Sequence, residues 1–345
     1  MKARKMLVGL LALAAMGGVA GCGGSSDDTS GTQAEVSSDN SKGELSLVAY
    51  STPEVVYNEI IPAFQKTPEG EGIGFKTSYG ASGDQSRAVE AGQPADVVTF
   101  STEPDMTRLV DAGLVAPTWK DGPNEGLITT SVVSFVVRKG NPKNIRTWED
   151  LLKPGVEVLT PNPFSSGAAK WNLLAAYGQA GGSSGDTEAG LAYVEELITE
   201  HVKVQDKSGR EALQNFLGGN GDVLLSYEYE AITANKQGEE LEYVIPDDTI
   251  KINIDIATTE EAPESAQAFV DFALGDEAQE LFASWGYRPV NEKVLKAHAD
   301  EFPNPPGLFT IDDVGGWDQV NTELFDVEGG AIAKIEEEAG VSTAG

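Results

Sequence analysis

From Glu44 onward, short apolar runs alternate with stretches of helical period, and that alternation admits few folds. Residues 45–50 read as a strand, 53–64 as a helix, 75–79 as a strand, 85–91 as a helix and 95–100 as a strand. Strands separated by amphipathic helices build a sheet with helices packed on its faces, so the fold class is α/β.

A β-rich run over 128–138 opens a second unit of the same kind: the stretches 148–152 and 156–159 follow it, then helices at 168–180 and 190–199, and strand 223–226. Strand 251–257 carries the chain back, and helices at 263–274 and 278–285 complete the first unit, with Pro263 suited to a first-turn position. The expected organisation is a first lobe from 44–132 plus 254–345 and a second from 133–253, joined by crossing strands. Hinges are expected at 131–135 and 253–257. No period of 20 to 50 residues recurs, which argues against a repeat architecture.

The N-terminus follows a different logic. Lys2, Arg4 and Lys5 precede an apolar run over 6–15 that is too short to span a bilayer, and small residues follow as far as Gly21. Residues 1–21 read as a signal peptide, and the single cysteine, Cys22, stands at the cleavage point. Val19-Ala20-Gly21-Cys22 resembles the bacterial lipobox, which implies lipid on the Cys22 sulfur, a membrane anchor and a mature chain outside the cytoplasm. Residues 22–43 are polar and small, and read as a disordered tether. With one cysteine there is no disulfide framework, so the body must hold by burial.

The chain carries 24 basic and 55 acidic residues, a net charge of −31. Loss of the leader's three basic residues takes it to about −34, which excludes nucleic acid as a partner. Such a charge also disfavours the long-range approach of anions, unless dipoles inside a cleft prevail.

Four places share one design, a Ser or Thr at the end of a strand or turn running straight into a helix. They are Ser51-Thr52-Pro53-Glu54, Ser82-Gly83-Asp84-Gln85, Ser165-Ser166-Gly167-Ala168 and Ser208-Gly209-Arg210-Glu211. Three match the capping box S/T-x-x-E/Q, so plain helix capping explains each one singly; in the first, Thr52 as the cap before Pro53 is an equal alternative. Glycine directly after a Ser in three of the four lets backbone N–H groups approach a ligand with no Cβ in the way. Ligands of open α/β sheets bind beyond the carboxyl ends of strands, where helix N-termini gather with free N–H groups and partial positive charge. Together they suit an anion. A micromolar complex needs about 8 kcal/mol, within reach of a handful of charge-assisted bonds at about 1.5–3 kcal/mol each.

At these residues the chain resembles the periplasmic sulfate- and thiosulfate-binding proteins of ABC importers. The most specific stretches are Val136-Val137-Arg138-Lys139-Gly140-Asn141-Pro142-Lys143, the block from Pro161 to Asn172, and Gly221-Asp222-Val223-Leu224-Leu225-Ser226-Tyr227-Glu228. The resemblance implies the two-lobe periplasmic-binding-protein fold of type II, with no cofactor, no metal and no catalysis. It also implies a monomer that closes about its hinge on sulfate or thiosulfate and then docks on the permease. By motif, the family's ligand contacts fall on Ser82, on Ser166, Gly167 and Ala168, on Gly209 and on Tyr227, with Ser51 and Arg210 supporting them. Ala168 stands where the family has Gly, Tyr227 where it has Trp, and Ser51 where it has Asp.

A site of donors only fits sulfate, which carries no proton at neutral pH, whereas hydrogen phosphate brings a proton that needs an acceptor. Asp84 could supply that acceptor, although a solvated first-turn acid is its ordinary role. Phosphate or molybdate on the same fold therefore stays open. A secreted hydrolase finds no support in G-x-S-x-G, H-E-x-x-H or Walker A patterns, and a tethered adhesin would have no small-molecule site.

Overall fold

The computed structural model describes residues 42–344. The expected signal peptide over 1–21, the lipidated Cys22 and the tether as far as residue 41 lie outside the described residues. Gly43, expected to end the tether, already belongs to the first strand.

The first βαβ elements are β1 (Gly43–Tyr50), α1 (Glu54–Phe64), β2 (Ile73–Gly80), α2 (Ser82–Glu90), β3 (Val97–Phe100) and α3 (Glu103–Asp111). A long strand β4 (Leu127–Arg138) leads into α4 (Trp148–Leu151), β5 (Val158–Leu159), α5 (Gly167–Gln179), α6 (Thr187–Glu196) and β6 (Val202–Val204). Then come α7 (Gly209–Leu217), β7 (Val223–Tyr227), α8 (Glu228–Lys236), β8 (Leu241–Val244) and the second long strand, β9 (Asp248–Thr258). The chain closes with α9 (Glu264–Leu274), α10 (Asp276–Ser284), β10 (Arg288–Pro289), α11 (Glu292–Ala297), β11 (Gly307–Phe309), α12 (Gly316–Val320) and α13 (Ala331–Glu338).

Strand order runs β2-β1-β3-β9-β4-β7-β5-β6. In the first half β1 pairs in parallel with β2 and β3, and β9 lies antiparallel to β3. In the second, β5 is parallel to β6 and β7, while β7 and β8 run antiparallel to β4. Strands β4 and β9 hold the two halves together. Residues Leu127 to Val132 of β4 pair with β9, and from Val133 the strand pairs with β7. The change of partner falls inside the expected hinge at 131–135. Strands β3 and β7 are buried on both faces, as parallel-sheet strands under helices on either side must be.

The first half packs α1, α9 and α10 on its sheet through Tyr57, Phe64, Phe75, Phe269 and Phe282, with Phe64 set edge-on to Phe269 at 5.3 Å. Each such ring contributes about 1.5–3 kcal/mol by leaving water. In the second half α5 is apolar nearly all round, because it lies between the sheet and the helices over it.

The end of the chain departs from expectation. The sequence reading places residues 254–345 in the first lobe, whereas β11 pairs in parallel with Asp248 to Ile250, and α13 packs against α6 and the π turn Leu197–His201 that extends it. Burial of Phe309 against Gly178, where a Cβ would overlap its ring, draws this last stretch onto α5. Pro263 caps α9 from outside rather than occupying its first turn. No described helix is long and apolar enough to cross a membrane.

Candidate functional site

Three helix N-termini meet between the halves. Helix α2 starts at Ser82, whose hydroxyl donates to Asp105 Oδ2 at 2.7 Å and accepts the Ser101 N–H at 3.1 Å. Ser82 therefore does not cap its own helix, and Ala81 is the cap residue. Asp105 also accepts from Thr102 Oγ1 at 2.8 Å and from Arg108 at 3.3 Å, which fixes the Ser101–Thr102 turn after β3. As a first-turn residue, Ser82 keeps an N–H that no intrahelical carbonyl can use. The next amide, Gly83 N–H, is taken by the Ser165 carbonyl at 3.1 Å, a bond that crosses from one half to the other.

Helix α5 begins at Gly167 with Ser166 as its cap residue in extended conformation. The Ser166 hydroxyl makes no capping bond, and its amide donates to Asn162 O at 2.9 Å. Gly167 is pressed on the Ser101–Thr102 turn: a Cβ there would overlap Ser101 Oγ and lie 2.9 Å from Thr102 Cγ2. One turn on, the Trp171 indole N–H donates to the Ser101 carbonyl at 2.5 Å. The first-turn amides of Gly167, Ala168 and Ala169 precede the first intrahelical donor.

Helix α7 follows Ser208, which does cap: its hydroxyl accepts the Glu211 N–H at 3.2 Å. Gly209 lies beside Ala168, with 3.7 Å between a Cβ built on Gly209 and the Ala168 Cβ, and 3.6 Å from such a Cβ to the Thr52 methyl. The Arg210 N–H donates to Ser51 Oγ at 3.5 Å, and the Arg210 guanidinium pairs with Glu54 of α1. Lys207 reaches Asp84 Oδ2 at 2.8 Å across the same divide, and Arg87 holds Oδ1 at 2.5 Å. Asp84 is thus a paired acid at the rim. Of the three capping boxes expected, only that at Ser208 has its side-chain cap; Ser51 serves Arg210 instead, and α1 is capped by neither Ser51 nor Thr52. A box absent from that expectation, Thr147 with Asp150, opens α4.

Tyr227 ends β7, fully buried and edge-on to Tyr229 at 5.4 Å. Its hydroxyl has no hydrogen-bond partner, although the Ser101 side chain is near, and burial holds its pKa well above the usual phenol range. Tyr229 bonds Thr52 Oγ1 at 2.6 Å and stacks on Tyr287 at 3.8 Å. All six expected ligand residues and both supporting ones therefore border one region, linked through Ser101, Thr52 and the Ala168–Gly209 contact.

Two residues at this place escaped the sequence. Ser101 is one, although Phe100-Ser101-Thr102-Glu103 repeats the Ser/Thr-before-helix design and could have been found by it. The other is Glu230, 2% exposed, whose Oε1 would lie 3.1 Å from a Cβ on Gly209. The Ser226 hydroxyl lies beside its carboxyl, short of full hydrogen-bond geometry. Burial pushes its pKa up to about 7, with the Ser226 hydroxyl and the Arg210 charge opposing.

The family model for bacterial extracellular solute-binding proteins matches residues 45–288. The chain is similar to a sulfate-binding protein of Synechococcus elongatus, 38% identical over 95% of this chain and 94% of that one. It is also similar to a thiosulfate-binding protein of Pseudomonas aeruginosa, 35% identical over 84% and 90%. Among solved structures, the sulfate-binding protein SubI from Mycobacterium tuberculosis superposes with a TM-score of 0.80 at 48% identity, covering 82% of this chain and all of that one.

Proposed function

Since the chain belongs to the bacterial extracellular solute-binding proteins, we propose that it is the receptor that captures sulfate, or thiosulfate, for an ABC importer, and that it binds without catalysing. One observation carries this: the N-termini of α2, α5 and α7 adjoin across the two halves beside the orphaned Tyr227 hydroxyl. Backbone N–H groups and helix dipoles there favour a compact dianion. The names of the similar proteins support the choice of oxyanion.

Ser82, Ser166, Gly167, Ala168, Gly209 and Tyr227 supply the donors, and Ser51 and Arg210 steady the α7 end. The lobes divide within β4 near Val132 and within β9 near Asn253, with the stretch from Gly307 carried by the second lobe. Closure about these strands brings the Gly83–Ser165, Lys207–Asp84 and Arg210–Glu54 contacts together over the guest. The closed monomer then docks on the permease, held near it by lipid on Cys22 at the outer face of the cytoplasmic membrane.

Calorimetry at pH 7 and 8 with sulfate, thiosulfate, phosphate and molybdate tests the ligand. Sulfate or thiosulfate binds most tightly on this reading, and tighter phosphate binding refutes it. Small-angle scattering tests closure, with a smaller radius of gyration expected at saturation.

A further inference from the structure

The two strands that join the halves have a second face, turned away from the helix N-termini. Tyr227 pairs with Val133 of β4 and shares its face. Val132 pairs with Lys251 of β9, and these two point the other way, because side chains alternate along a strand. The same division recurs at β10. The Tyr287 hydroxyl donates to the Thr52 carbonyl at 3.4 Å beside the anion region, while the next residue, Arg288, joins Val132 and Lys251 around a cavity of about 740 Å³. This cavity shares no residue with the anion region, and its floor is the expected hinge, where β4 exchanges β9 for β7. Both halves supply its walls: Leu295 and Lys296 stand on α11, which packs on α10, and Leu308 stands on β11, which pairs with Thr249.

The charge here runs against the rest of the molecule. In a chain with 55 acidic residues a cation is easily matched. Arg288 is matched twice by the buried Glu228, Nε to Oε2 at 2.6 Å and Nη2 to Oε1 at 3.2 Å. Lys251 and Lys296, by contrast, make no ion pair and no hydrogen bond among the described residues. Glu125 is the one carboxylate beside them on the wall, so two ammonium groups stand against a single acid. The remaining wall is apolar through Leu295, Phe302 and Leu308, and Leu295 keeps 38% of its surface open to solvent. A net positive charge over an apolar seat matches a ligand of opposite make-up, and the volume is that of ordinary small-molecule pockets.

We propose that the cavity behind the hinge is a second ligand site, for an organic monoanion: a carboxylate or sulfonate held by Lys251 and Lys296, on an apolar body laid against Leu295, Phe302 and Leu308. Its place makes it a control on closure. Rotation about the crossing strands that brings the halves together in front moves the walls behind them apart, and opening in front brings those walls together. The occupant therefore fits the closed form, tightens sulfate, and is itself tightened by sulfate through the same factor. Arg288 adds a direct link, since the Glu228 it holds follows Tyr227 in the chain. The coupling rests on the sulfate reading, whereas the site does not.

Fluorescence titration of naphthoate and of naphthalenesulfonate into protein saturated with sulfate reads this site alone, because the first site is filled. The anions are expected to bind at least about fivefold more tightly than naphthol, which has the same body without the charge, and the tighter of the two identifies the head group. Lys251→Gln and Lys296→Gln are each expected to weaken the anions by about threefold to fivefold and to leave naphthol unchanged. Without sulfate the anions should bind about fivefold or more weakly, and saturating anion should lower the sulfate Kd by that same factor in calorimetry. Naphthol binding as tightly as the anions, anion affinity unchanged in both lysine variants, or anion affinity indifferent to sulfate overturns the proposal and leaves the sulfate reading intact. Absence of sulfate heat sinks the sulfate reading instead, and the naphthol and lysine comparisons on the unliganded protein then decide the site. Should a variant not fold, the naphthol and sulfate comparisons on the native protein still decide.

Discussion

Replacing Gly167 with Ala should weaken the ligand and leave the unliganded fold unharmed, a pairing that ordinary core damage does not produce. A Cβ at this position lies 2.9 Å from Thr102 Cγ2 and 3.3 Å from Ser101 Cβ, and also overlaps Ser101 Oγ. Carbon atoms in good contact sit about 3.5–4.0 Å apart, so α5 must retreat from the β3 turn by a large fraction of an ångström. Overpacking of this size costs about 1–3 kcal/mol, which is about 5-fold to 150-fold in the dissociation constant. The cost falls on the closed form alone, because Ser101 and Thr102 belong to the opposite half. The backbone does not resist the change: Gly167 opens a helix and is not among the residues of positive φ. Alanine there restricts the unfolded chain and is expected to hold the stability of the free protein or raise it by up to about 1 kcal/mol, with the melting temperature following. Calorimetry with sulfate and a thermal melt without it form the assay. Unchanged affinity, or a free-state melting temperature that drops along with the affinity, refutes the reasoning.

Tyr227→Phe removes a buried hydroxyl that has no partner within the protein. Sulfate binding is expected to weaken by about 1–3 kcal/mol while the free protein melts no lower, and a titration beside a melt checks both. Glu228→Ala strands Arg288 in the interior and should cost about 3–5 kcal/mol in urea unfolding, whereas Glu230→Gln should not. Glu336 supplies a pH test far from the site. Burial lifts its pKa to about 7, with Gln205 bonding one oxygen at 2.6 Å. Its folded value lies above its unfolded value, so the stability tied to its neutral form is complete below about 4.5 and is lost as pH rises through about 7. Glu336→Gln should match the native protein's melting temperature at pH 4.5 and exceed it at pH 8, where it is more stable by at most about 3 kcal/mol, and a melting series from pH 4.5 to 8 checks this.

The fold was largely legible because its signals are local. Apolar runs of strand length between helical periods located β1, β2, β3, β4, β7 and β9 to within a few residues, and α5 and α9 to within one. The C-terminal stretch was not, since what draws β11 beside β9 is a side-chain fit between Phe309 and Gly178 about 130 residues away, which no window records. At the site, serine-glycine turns marked the helix starts, but a turn does not say where its hydroxyl goes. Ser82 turned to Asp105 and Ser51 to Arg210, both through tertiary contact. Glu230 was invisible for a related reason. A glutamate in a helix reads as a solvated face, and only its burial beside Gly209 and Ser226 shows otherwise.

The late arrival of β9 sets a timetable for making the molecule. Val97, Val98 and Thr99 of β3 pair on one side with β1 and on the other with Thr258, Ala257 and Ile256, so the first sheet has an open, apolar border until the ribosome has passed residue 258. Contacts this distant in sequence form slowly, and bare strand edges invite association with other chains. The nascent chain must therefore be kept apart from its neighbours for most of its synthesis, and a fragment ending before β9 is expected to aggregate rather than fold as a free first lobe.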